Sequence, residues 1–396
     1  MWLIPFLALG GPGCDHCPVT GRDEELNLRT TVNPAFNAVA RDEFSAMIDA
    51  DRYLRRSESF ETLIARTNEH FWDPEDPDYI DYDAAVPDDE PLAPFDVIPE
   101  RHSAIWDTLD DGRRINFANE SLRMRISGIL HGEQGAFSLS TGLADMLVDP
   151  GAQEYASNQA REEARHVHAF ALYMKSRFGG DIMEPTPTLD RILKRLVASN
   201  LIYEKFIGMQ MIIEGIAMGL FASMYQEAND PLLKRLSQLV MTDEAFHHKF
   251  GRVWAEENVP GVSEELRCEL EDFAREMFHD VLLNLVGAEQ KVALYRRCGI
   301  DADFAVAAMA EVITDDTRRK FMREGTNIFR TLIKTLWQAG LITDRSRSYY
   351  QGWIDMDEIA GEGQWNVGDE IAEAGIETLK EINAGKRKIV RTIKGG

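Results

Sequence analysis

Apolar residues recur at three- and four-residue spacing through most of this chain, and that period predicts an almost wholly helical protein. The first forty residues show no clear period and read as an irregular extension. Residues 41–71 read as a helix with Phe44, Met47, Ile48, Leu54, Phe60, Leu63 and Ile64 on its apolar side. Asp73-Pro74, Asp76-Pro77, Pro91, Pro94 and Pro99 then break the pattern, so residues 72–101 are expected to be a long loop wrapped over the surface. From 104 the helical period returns. Helices are expected near 113–147, 151–178, 188–228 and 231–257, with others near 263–299, 302–312 and 315–341 packed against them. The tail from 345 is mixed and ends basic, with Lys386, Arg387, Lys388, Arg391 and Lys394. It is expected to lie on the surface or on a partner subunit. The expected class is all-α. An N-terminal extension (1–103) precedes a helical domain (104–345) and a C-terminal tail (346–396).

The polar positions inside these apolar helices carry the chemistry. Glu133, Glu163 and His166 recur as Glu214, Glu244 and His247, each 81 positions on. The same offset takes Ala136 to Ala217, Leu139 to Leu220, Asp149-Pro150 to Asp230-Pro231 and Ala164 to Ala245. The chain therefore holds two copies of one helix–turn–helix unit, each with a lone glutamate and a Glu-x-x-His. Thirty residues separate Glu133 from Glu163. That length allows about four helical turns down, a short Asp-Pro turn and about four turns back. Residues three apart share a helix face, so Glu-x-x-His aims a carboxylate and an imidazole at one place. Four carboxylates with two imidazoles suit two iron or manganese ions better than zinc or copper. A third match, Glu276-Met277-Phe278-His279, has Phe246 rather than a carboxylate thirty residues before it, and reads as surface.

Both motifs carry an acid directly before the glutamate, Glu162 and Asp243. A metal-bound imidazole commonly donates its other N–H to a carboxylate. Asp243 is therefore expected to orient His166, and Glu162 to orient His247, across the helix pairs. Arg165 would neutralise one of these acids. Phe246 stands where the repeat would put a second arginine, so the two halves should not be equivalent. One turn from the lone glutamates lie Ile129, Leu130 and Phe137, and Met211, Met218 and Phe221. They form either an apolar substrate cavity or ordinary core. Gln210, one turn before Glu214, would be a buried polar group able to position substrate or water.

The run Glu162-Glu163-Ala164-Arg165-His166, repeated as Asp243-Glu244-Ala245-Phe246-His247 with a glutamate thirty residues before each, resembles the ferritin-like, ribonucleotide-reductase-R2-like superfamily of non-haem di-iron proteins. The resemblance covers about residues 110–255. It implies a four-helix bundle core with packed additional helices. One iron would lie on Glu133, Glu163 and His166 and the other on Glu214, Glu244 and His247, with Glu163 and Glu244 bridging. It also implies O2 as co-substrate, an external electron donor such as a reductase or ferredoxin, and a homodimer. No single branch fits. Phe170 stands where radical-storing subunits resemble one another in a tyrosine, with Tyr173 one turn further. Met218 replaces the threonine of multicomponent hydroxylases, and Val240 the added histidine of aminobenzoate-type N-oxygenases.

Composition narrows the function. A net charge of −24 argues against nucleic acid or an anionic membrane as partner. Four cysteines in 396 residues suggest a reducing compartment without a disulfide framework, and Cys14-Asp-His-Cys17 lacks a partner pair. The apolar start, Met1 to Gly10, has no basic flank or clear cleavage site, so a cytoplasmic location is expected. Ile207 to Met224 has the length of a membrane span but contains Gln210 and Glu214. The expected function is a di-iron oxidase or monooxygenase acting on a small apolar or aromatic molecule. The alternatives are a radical-generating subunit, with Trp254, Trp337, Trp353, Tyr349 and Tyr350 as possible path residues, and an iron-handling ferroxidase.

Overall fold

Side chains at the helix starts explain where the long elements begin. Asp110 accepts from the Arg113 amide at 2.8 Å and opens α1, Asp111–Met146. Asp149 accepts from the Ala152 amide at 2.9 Å, and Pro150 follows at the first position of α2, Pro150–Phe178. Its repeat counterpart Asp230 accepts from the Leu232 amide at 3.0 Å and opens α5, Pro231–Asn258. Both Asp-Pro turns thus satisfy an orphan donor and pre-set the helical φ. α2 stops at Gly179, whose φ of +63° is strained for any residue with a β-carbon. The computed structural model describes residues 38–41, 43–67, 70–85, 90–312, 314, 328–360 and 368–386. Among them the regular structure is all helical, apart from one isolated bridge between Ala38 and Leu147.

Several helices differ from their expected bounds. Residues 188–228 form two helices, α3 (Pro187–Ala198) and α4 (Ile202–Glu227), rather than one. Ser199 Oγ accepts from the Leu201 amide at 3.0 Å and turns the chain between them. Within α4, residues Phe206–Ile213 are wound as a π-helix that ends at Glu214. The helix expected over 41–71 is a series of short pieces, the longest of them Glu61–Thr67. Asp49 and Ser57 cap those pieces, and Phe44, Ile48 and Leu54 face outward rather than into the core. Residues 263–299 give α6, Glu264–Val286, and a separate Val292–Arg297, with the break at Gly287. α7 is Ile328–Gln338. The described part of the tail folds back on its own chain: α8, Asp369–Lys386, packs on α5. Cys268 is disulfide-bonded and Cys298 is free, where the cysteine count suggested no disulfide framework. The Cys14–Cys17 pair, the apolar start and the last basic residues lie outside the described residues.

α1 and α2 pack along each other, as do α4 and α5. α2 also meets α5, and α1 meets α4, so the four close a ring. α6 packs on the π-wound part of α4, and α7 mainly on the turns that follow it. Two apolar clusters fill the ring. One holds Leu139, Leu143, Tyr155, Phe206, Phe250 and Trp254. The other holds Leu130, Phe170, Tyr173, Phe221 and Leu236. The repeat glutamates and histidines lie between the two, as a polar layer across an otherwise apolar interior. α4 is long and apolar enough to cross a membrane by composition, and most of it is buried inside the molecule.

Candidate metal centre

Each of the four ring helices brings its ligand-type residues to the same level. α1 supplies Glu133, α2 supplies Glu163 and His166, α4 supplies Glu214, and α5 supplies Glu244 and His247. All six are buried. Their donor atoms form two groups, Glu133, Glu163, His166 and Glu244, and Glu163, Glu214, Glu244 and His247. Within each group the atoms lie within 4.8 Å of one another, and Glu163 and Glu244 belong to both.

The inward nitrogen of each imidazole shows what this packing suits. His166 Nδ1 lies 3.2 Å from Glu133 Oε2, 3.3 Å from Glu163 Oε2 and 3.1 Å from Glu244 Oε1. His247 Nδ1 lies 3.0 Å from Glu163 Oε1 and 3.1 Å from Glu244 Oε2. One ring nitrogen carries one proton at most, so it cannot donate to three oxygens at once. An octahedral ion with bonds of about 2.1 Å spaces adjacent donors about 3.0 Å apart. The donors therefore sit as they would around shared cations.

Electrostatics agree. Burial, reinforced by Glu244 and Glu163, pushes the Glu214 carboxyl well above its ordinary 4.5. Burial also lifts Glu133, against the hydrogen bond from His166. Burial would raise Glu163 as well, but His247 and His166 hold it well below the usual carboxylate range. Burial opposes charge on both histidines. Asp243 and Glu133 nevertheless raise His166 well above 6.5, and Glu163 and Glu244 raise His247 likewise. Four buried carboxylates this close cannot all ionise without a cation among them.

No protein-family model matches the chain, and no curated protein matches it. What the centre can do is therefore read from its own atoms. The outer nitrogens turn to the neighbouring acids: His166 Nε2 is 2.9 Å from Asp243 Oδ2, and His247 Nε2 is 2.9 Å from Glu162 Oε2. Arg165 Nη2 donates to Asp243 Oδ2 at 2.6 Å.

Three neighbours escaped the sequence reading. Gln159 Nε2 donates to Glu163 Oε1 at 3.1 Å and Glu214 Oε1 at 3.2 Å. Trp72 Nε1 donates to Asp243 Oδ2 at 2.9 Å. His70 Nε2 lies 3.1 Å from Asp243 Oδ1. Gln210 is fully buried in the π stretch, with neither amide atom hydrogen-bonded. Ile129 and Phe137 are only half-buried, whereas Met211, Met218 and Phe221 are packed into the apolar clusters. Glu276 pairs with Arg195 at 2.8 Å and His279 lies against Tyr349, so the third Glu-x-x-His stands apart from the cluster. Tyr349, Tyr350 and Trp353 pack around Phe278, and Trp254 stacks on Phe206.

Proposed function

We propose that this chain is an O2-dependent di-iron oxidoreductase of the ferritin-like kind. It would oxidise a C–H or N–H bond of a small apolar or aromatic molecule, with electrons from a separate donor. The observation that carries this reading is the pair of four-residue donor groups sharing Glu163 and Glu244. Glu133 and His166 would complete one ion's shell, and Glu214 and His247 the other's. When bound, such a redox-active pair supplies the electrons that reduce O2.

The protein's own part follows from its geometry. Asp243 and Glu162 would accept hydrogen bonds from the Nε2–H groups of His166 and His247, which leaves each Nδ1 lone pair directed inward. Gln159 spans Glu163 and Glu214 and fixes how those two carboxylates turn. Leu130, Phe170, Met218 and Phe221 keep water from one side of the polar layer. One observation favours a second reading, a radical-generating subunit. Trp72 Nε1 and His166 Nε2 meet the same oxygen of Asp243, so an indole is joined to the centre through one carboxylate.

Anaerobic loading with ferrous iron, desalting and metal analysis by mass spectrometry test the site. The expected result is about two irons per chain, about one after Glu214→Ala and about two after Glu276→Ala. Loss of metal on Glu276→Ala with retention on Glu214→Ala would show the assignment to be wrong. Exposing the loaded protein to O2 then separates the functions. Uptake in fixed ratio to the chain supports the oxidoreductase. Continued uptake with a growing ferric core supports iron handling. A persistent organic radical in electron paramagnetic resonance supports the second reading.

A further inference from the structure

The 81-residue repeat is broken beside the centre. Arg165 of α2 reaches across to Asp243 of α5. Its counterpart on α5 is Phe246, so α5 returns no guanidinium to Glu162. His70 fills that place from outside the repeat. Its ring stacks on Phe246 with centroids 4.9 Å apart and planes 8° from parallel. The side chain is 1% exposed. Its Nε2 lies 3.1 Å from Asp243 Oδ1 and 3.9 Å from Glu162 Oε1. In both acids the other oxygen is the one facing a histidine of the centre.

Resting on the two-ion reading above, the geometry points to His70 as a positioning residue for the centre. Its Nε2 stands within ion-pair distance of the outer oxygens of Glu162 and Asp243, without a hydrogen bond to either, and its buried ring, stacked on Phe246, holds both acids in line with the imidazoles they orient. It does for the second motif what Arg165 does for the first. The competing idea is a third cation held by His70, Glu162 and Asp243, whose donor atoms also converge. The count of ions per chain separates the two.

Chelator competition on the iron-loaded full chain tests the assignment. His70→Ala should speed release of the ion beside His247 about tenfold, the lower end of what the loss of an outer partner costs, and leave the ion beside His166, whose Asp243 keeps Arg165, unchanged. His70→Gln keeps a donor and should retain most of the affinity. Adding Phe246→Arg to His70→Ala gives Glu162 a guanidinium and should restore slow release. Wild-type release from His70→Ala, or no recovery with Phe246→Arg in a protein folded by circular dichroism, overturns the assignment. Three ions per wild-type chain, one of them lost with His70, overturns it in favour of a metal site. Should the wild type bind no iron, the two-ion reading fails by itself. Melting of the metal-free proteins still decides His70: a lower midpoint for His70→Ala, recovered by Phe246→Arg, supports the assignment, and equal midpoints overturn it.

Discussion

Four side chains converge on Asp243, which is not itself a member of the ligand set. Its Oδ2 meets His166, Trp72 and Arg165, and its Oδ1 faces His70. Burial would raise its pKa, but Arg165, His166 and His70 hold it well below the ordinary 3.8. Gly251, one turn after His247, makes room for another polar residue: a β-carbon there would stand 2.8 Å from Gln210 Cβ and 3.0 Å from its carbonyl oxygen. Backbone cannot yield as a side-chain tip can, so Gly251→Ala should cost about 1–3 kcal/mol in a denaturant titration. The repeat residues, and the acids beside them, were legible because a fixed offset and helical spacing are properties of sequence alone. His70 and Trp72 were not, because they sit where the helix expected over 41–71 gives way to the Asp-Pro loop, and they reach a helix more than 170 positions away. Gln159 could have been found one turn before Glu163, but its repeat counterpart is Val240, and a search for what the halves share passes over it.

Among the elements, α4 departs furthest from its pattern. Its apolar residues run on from those of α3, so one helix was expected from 188 to 228, and neither the break nor the π-winding leaves a mark in hydrophobic period. π-segments recur at functional sites because they re-aim the side chains that follow. Here the next residue is Glu214. The break is held by Lys205, whose buried Nζ donates at 2.9 Å to the carbonyls of both Leu196 and Val197 at the end of α3. Burial, with Arg41 adding to it, lowers the Lys205 pKa from 10.5 to about 8. The folded state therefore holds that proton more weakly than the unfolded chain does. A penalty on folding present below about pH 8 is relieved as pH rises towards 10.5, and the neutral amine still has a hydrogen for each carbonyl. Relative to Lys205→Met, the wild type should gain in melting temperature between about pH 7 and about pH 9.5. An unchanged difference would mean that Lys205 titrates normally.

Across the whole molecule, segments distant in sequence clasp α5 around Asp243. Phe71, Trp72 and Tyr79 come from the segment before α1, and α8 comes from near the other end of the chain. α8 lies so close to α5 that a β-carbon on Gly375 would stand 2.7 Å from Thr242 Cγ2. Asn383 joins the two sides of the clasp, donating to Phe71 O at 2.8 Å and accepting from Tyr79 OH at 2.5 Å. Asn383→Ala should cost about 1 kcal/mol and speed amide exchange over residues 70–80. It should leave the metal count unchanged, because Asn383 touches no residue of the centre. The clasp also sets an order of events during synthesis. Tyr79 and Asn383 are 304 positions apart, so that bond forms only after residue 383 has left the ribosome. At the usual pace of translation, about 5–20 residues per second, the four ring helices are complete about 6–25 seconds earlier. A nascent chain thus has its ring before its clasp, and during that interval an ion could approach the centre along the side that α8 later covers.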